Sequence, residues 1–107
     1  MFDGGLTQIT SRLLVEQLRY SKTNQTSLDF VTYPIMRFMD APKVTSIVLQ
    51  QTTTPAGVGE PMACTAAAAI ANAFFDATGV RMLTAPMTPA RVRAVLAAGG
   101  QGTAGLA

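Results

Sequence analysis

Histidine and tryptophan are absent from the 107 residues, cysteine occurs once, and charged side chains make up only 13% of the chain. Each shortage removes a class of chemistry. Without histidine there is no Ser-His-Asp or Cys-His machinery, and the single Cys64 can neither close an internal disulfide nor build a Cys/His zinc site. Six acidic and eight basic residues leave a formal charge of +2. So sparse a set makes no dense basic face, and nucleic acid is not an expected partner. Met1 to Gly5 carries no positive charge, and the apolar positions after it are broken by Gln8, Arg12, Glu16 and Arg19, so no secretory leader is expected. The most lipid-like window, Met62 to Phe75, is shorter than the roughly 20 residues a bilayer requires and contains Asn72. No membrane span is expected.

What the chain does have is hydrophobic residues, 49% of the total. An ordinary soluble domain carries about 25% charged residues, so the low charge here implies a surface that something else covers. The length suits one domain. Leu6, Ile9, Leu13, Leu14 and Leu18 recur at helical spacing, predicting an amphipathic helix from about Gly5 to Arg19. A polar turn at 21–27 follows, then β-branched and aromatic residues over Leu28 to Phe38, where Pro34 suggests an edge strand. Val44, Ile47, Val48 and Leu49 make Lys43 to Gln51 the best strand candidate, and Thr52 to Gly59 reads as a loop. An alanine-rich helix is predicted over Ala63 to Ala77 with its stop at Thr78-Gly79. Arg81 to Ala85 suits a short extended piece, and Thr88-Pro89 caps a last helix that ends at Gly99-Gly100. The expected fold class is α+β, about three helices and two to three strands, with residues 1–98 structured and 99–107 a flexible tail. Two or three strands are few for an independent sheet, so the pattern suggests a fragment of a larger domain.

Gly57-Val58-Gly59-Glu60-Pro61 is the one place where a titratable group is presented on a constrained turn. The glycines allow close backbone approach to a ligand or positive φ, and Pro61 fixes the exit into the helix. A helix N-terminus favours the ionised carboxylate, whereas burial beside a cofactor raises its pKa toward the range of a general base. On spacing alone an ordinary first-turn acidic residue is the commoner case. Cys64 is expected to be an inert packed thiol. Met36, Met39, Met62, Met82 and Met87 are expected to fill gaps in core or interface, not to bind metal.

Val58-Gly59-Glu60-Pro61, then Ala66 to Ala73 with its Ile70 and Asn72, then Asp76-Ala77-Thr78-Gly79-Val80-Arg81, resembles the C-terminal segment of the large, molybdopterin-binding subunit of the xanthine dehydrogenase/aldehyde oxidase family. Thr32 to Phe38 with Asp40-Ala41-Pro42 is similar to the segment before the family's active-site loop, and Met87 to Val92 resembles its closing helix. The resemblance covers roughly residues 3 to 97. It implies an oxidoreductase that hydroxylates an aldehyde or N-heterocycle carbon with water as the oxygen source. It also implies a molybdenum cofactor on molybdopterin, in the cytosine dinucleotide form, with Glu60 as the general base. By the same resemblance Gly57, Val58 and Gly59 lie against the cofactor and Gln8 contacts the pterin, although Ile9 stands where the family has glycine. No residue here is implied as a metal ligand. The family's large subunit spans many hundreds of residues, so the implied partners are the remainder of that subunit and an iron-sulfur subunit, in the cytoplasm or, alternatively, the periplasm. The competing reading is a non-catalytic remnant or small interaction module that keeps the packing surfaces and meets no cofactor.

Overall fold

In a computed structural model, which describes residues 1–54 and 56–99, three α-helices form: α1 (Phe2–Leu14), α2 (Gly59–Thr78) and α3 (Pro89–Ala97), with a single 3-10 turn at Phe38–Asp40. Residues 100–107, most of the expected tail, lie outside the described residues. Helix α1 begins earlier and ends earlier than its apolar spacing predicts. Its last turn is closed by Val15 N–H and Glu16 N–H, both donating to the Ser11 carbonyl at 2.9 and 3.0 Å. Beyond it, Thr26 N–H donates to the Arg19 carbonyl and Arg19 N–H to Ser27 Oγ, each at 2.9 Å. Those bonds commit residues 19–27 to a closed loop, and the helix cannot extend through Arg19.

Helix α3 starts, and α2 stops, where the punctuation puts them, but α2 starts at Gly59, four residues before the expected Ala63. Helix α2 takes in Gly59, Glu60 and Pro61 as its first turn, where the missing proline N–H costs no helical bond. It ends at Gly79, φ +70°, whose N–H donates to the Phe75 carbonyl at 2.7 Å. Arg81 closes this end, its guanidinium 3.7 Å from the Phe75 ring centroid and donating to Asn72 Oδ1 at 2.8 Å. Helix α3 opens on Thr88, whose hydroxyl accepts from Arg91 N–H, with Pro89 in its first turn.

The expected strands do not form. Among the described residues the sheet-type pairing is an isolated antiparallel bridge between Tyr20 and Gln25. Over residues 28–33 local side chains win: Asp29 Oδ1 accepts from Val31 N–H at 3.1 Å, Thr32 N–H at 2.9 Å and Thr32 Oγ1 at 2.8 Å, which folds the backbone into a turn. Lys43 to Gln51 and Arg81 to Ala85 have the residues for strands but no neighbouring edge with which to pair.

Helices α1 and α2 pack on each other. A Cβ on Gly5 would stand 2.6 Å from Met62 Cε, so the glycine lets that side chain cross α1. Among the described residues the buried apolar ones are Leu13, Met82, Met87 and Val95, ringed by half-buried Ile70, Ala71, Phe74 and Val92. Met82 and Met87 fill gaps as expected, Met36 and Met62 are half-buried, and Met39 is exposed. The accessible surface is 8453 Å², against about 5,700 Å² for a compact monomer of this mass. Much of the excess is apolar, at Leu28, Phe30, Val31, Phe38, Ile47 and Leu49. A chain so uncovered suits a piece of a larger body.

Candidate functional site

Glu60 stands on the first turn of α2, exposed, and opposite it the middle of α1 presents Gln8, also exposed. Between them lies a cavity of about 370 Å³ bounded by Gly5, Gln8, Ile9, Arg12, Gly59 and Glu60. Three of the five residues singled out in the sequence, Gln8, Gly59 and Glu60, therefore share one concavity. Helix packing brings them there: α1 supplies the amide and guanidinium, α2 the carboxylate.

Gly57 and Val58 line the approach to this cavity in sequence but do not bound it. Gly57 is exposed and Val58 half-buried. Neither Gly57 nor Gly59 adopts positive φ. What they provide is clearance: a Cβ added at either would meet nothing within 4 Å, so the main chain is bare to a close neighbour. Val58 precedes the helix with φ −116° and ψ −9° and offers no side-chain cap. The amides at the start of α2 therefore have no acceptor from that position.

Gln8 and Arg12 also border a second concavity of about 580 Å³, whose far wall includes Met36, Arg37 and Phe38. That wall is held by a part-buried relay. Ser11, 5% exposed, donates to Glu16 Oε1 at 2.6 Å and accepts from Met36 N–H at 2.9 Å, while the Tyr33 hydroxyl donates to Glu16 Oε2 at 2.5 Å. The Glu16 carboxylate, accepting this bond, pushes the Tyr33 phenol above its ordinary value. Sequence reasoning missed Ser11, Arg12, Glu16 and Tyr33 as a group. Arg12 and Glu16 read as the polar side of α1, and no local spacing announces that Tyr33 returns to them. A third hollow of about 510 Å³, against Leu18, Leu28, Phe30 and Tyr33, is more apolar and contains none of the predicted site residues.

Cys64, on the first turns of α2, is exposed and not packed as expected. Among the described residues no three His, Cys, Asp or Glu side chains converge as metal ligands. No helix among them is long and apolar enough to cross a membrane.

The fold and cavity define a helical segment that presents one carboxylate at a helix start and leaves much apolar surface bare. No family model matches the sequence. The chain is similar to a subunit of nicotinate dehydrogenase from Pseudomonas putida, with 43% identity over 100 residues that are 92% of this chain and 8% of that protein. It is also similar to the membrane-bound aldehyde dehydrogenase (pyrroloquinoline-quinone) of Gluconacetobacter polyoxogenes, 41% identical over 61 residues, 57% of this chain and 8% of that protein. Both relatives are dehydrogenases by name, and the chain spans about 8% of the length of each.

Proposed function

We propose that this chain is a segment of the molybdopterin-binding subunit of a molybdenum hydroxylase and contributes the general base, Glu60, to the assembled site. The observation that carries the reading is the cavity where Glu60, Gly59 and Gln8 meet although Gln8 lies on a different helix. The similarity to a dehydrogenase subunit over 92% of the chain supports it.

The residues present fit the proposed cofactor. Bare main chain at Gly57 and Gly59 leaves room for a pterin against the loop, and the Gln8 carboxamide supplies a donor and an acceptor for its polar edge. When bound, molybdenum on molybdopterin, in the cytosine dinucleotide form, supplies the two-electron acceptor for hydroxylation of an aldehyde or N-heterocycle carbon. Glu60, at the start of α2, would then take up the proton released as water-derived oxygen is transferred. An iron-sulfur partner receives the electrons. The bare apolar surface equally suits the non-catalytic interaction module, and the two readings part on Glu60.

The test is Glu60→Gln in the complete enzyme. Glutamine keeps the length and shape of the side chain but cannot accept the proton, so kcat should fall by about 10²- to 10⁴-fold with KM little changed. Val58→Ala should be far milder. Near-normal turnover of Glu60→Gln at full molybdenum content would leave Glu60 as a helix-start carboxylate and favour the interaction module.

A further inference from the structure

Lys43 to Gln51 combines strand-forming sequence with a backbone that pairs with nothing. Val44, Thr45, Ile47 and Val48 are β-branched, no glycine or proline interrupts the run, and Lys43 is its one charge. Yet among the described residues no backbone hydrogen bond is made by this segment. Ile47, Val48 and Leu49 are 83%, 72% and 73% exposed. In a strand, Ile47 and Leu49 would face one side and Val48 the other. Both faces are then apolar at the centre, the pattern of a strand covered on both sides.

We propose that Lys43 to Gln51 is a docking strand, which pairs with a sheet edge of the companion polypeptide and so anchors the loop that delivers Glu60. The inference rests on the reading of the chain as a segment of a larger subunit. A second copy of this chain is a poor occupant. Among the described residues it offers no sheet, and two such segments paired alone would form a two-stranded ribbon with both apolar faces still bare. The companion has the size to supply a covered sheet, since this chain spans about 8% of its relatives' length. The surface in excess of a compact monomer, roughly 2,700 Å², is also of the order that permanent interfaces bury. Pairing through main-chain bonds gives affinity, and the apolar side chains fix the register.

The experiment compares hydrogen exchange in the native assembly, purified from its source, with exchange in the 107-residue chain alone. Amides of residues 44–50 should exchange at least about 100-fold more slowly in the assembly. Val48→Pro, which removes a donor, should cut recovery of the assembly at least about tenfold, while Val48→Ile should not. The helical circular dichroism of the isolated chain should be equal in all three forms, because Val48 lies outside the helices. Amides as fast in the assembly as in the chain alone would overturn the docking strand. Concentration-dependent protection in the isolated chain would also overturn it, in favour of self-pairing. Molybdenum content separates the two proposals: slow amides without molybdenum remove the proposed function and leave the strand, and molybdenum with fast amides removes only the strand.

Discussion

Expressed without any companion, the chain should hold helices but lack a cooperative tertiary core. Its surface exceeds that of a compact monomer by roughly 2,700 Å². If about 58% of that is apolar, as on ordinary protein surfaces, the unrealised burial is worth on the order of 40 kcal/mol at about 25 cal/mol per Å². Even a third of this figure matches the entire net stability of a typical domain, about 5–15 kcal/mol. Leu13, Met82, Met87 and Val95 are the only buried apolar side chains among the described residues. At about 1.5–3 kcal/mol each they cannot substitute for the missing area. Calorimetry, near-ultraviolet circular dichroism and binding of a hydrophobic dye make the assay. The expected result is helical far-ultraviolet signal, weak tyrosine signal, strong dye binding and no sharp endotherm. A dilute monomer that melted in one transition with an enthalpy near about 70 kcal/mol, the value for a compact domain of about 100 residues, would refute the expectation.

Purified alone, the chain should carry no molybdenum by elemental analysis, because the contacts proposed here are a small part of a cofactor's enclosure. In the assembled protein Ser11→Ala should cost about 1–3 kcal/mol, since it strands the Met36 N–H and removes a bond to the Glu16 carboxylate. Thermal melting measures it, with Thr10→Ala, which loses a bond to an in-helix carbonyl, as the milder control. The 28–36 turn should be stable over a middle pH window. Asp29, held below its ordinary 3.8 chiefly by the Thr32 N–H, contributes fully above that value and loses its contribution as pH falls through its folded pKa. Tyr33, held above 10.0 chiefly by its bond to Glu16, contributes below that value and loses its contribution as pH rises through its folded pKa. Tyrosinate absorbance in wild type and Glu16→Gln reads the alkaline limb, and an identical Tyr33 titration in both would contradict the relay. Exposed Cys64 should react with a maleimide in the native chain as fast as in denaturant.

The helix boundaries legible in the sequence are those set by near neighbours. Thr78-Gly79 stops α2 and Thr88-Pro89 starts α3, because capping is decided within a turn of the residue concerned. The end of α1 was not legible, since it depends on Ser11, Glu16 and Tyr33 meeting, and Tyr33 returns from beyond a polar loop. The strand over Leu28 to Phe38 was misread for a local reason: Asp29 and Thr32 outcompete the β-branched neighbours for the backbone. At the site, Glu60 stood out through its flanking glycines and Pro61, whereas Gln8 was named by resemblance alone. Arg12 on the same cavity wall carried no signal, because a charge on the polar side of an amphipathic helix looks the same whether it faces solvent or a concavity.

Leu13 carries a consequence for synthesis. Its carbonyl accepts the Met87 N–H, and its side chain is buried with Met82, Met87 and Val95. Its hydrogen-bond partner and its fellow buried residues are thus made near the end of the described chain, although Ile70, Ala71 and Phe74 of α2 ring the same cluster. Closing a loop from residue 13 to residue 87 costs about 4 kcal/mol of chain entropy by the usual logarithmic law, and the full set of buried contacts that offsets it exists only once Val95 has left the ribosome. During translation α1 can dock on α2 while its buried cluster stays incomplete, and a nascent chain halted before Met82 should be held by chaperones or degraded.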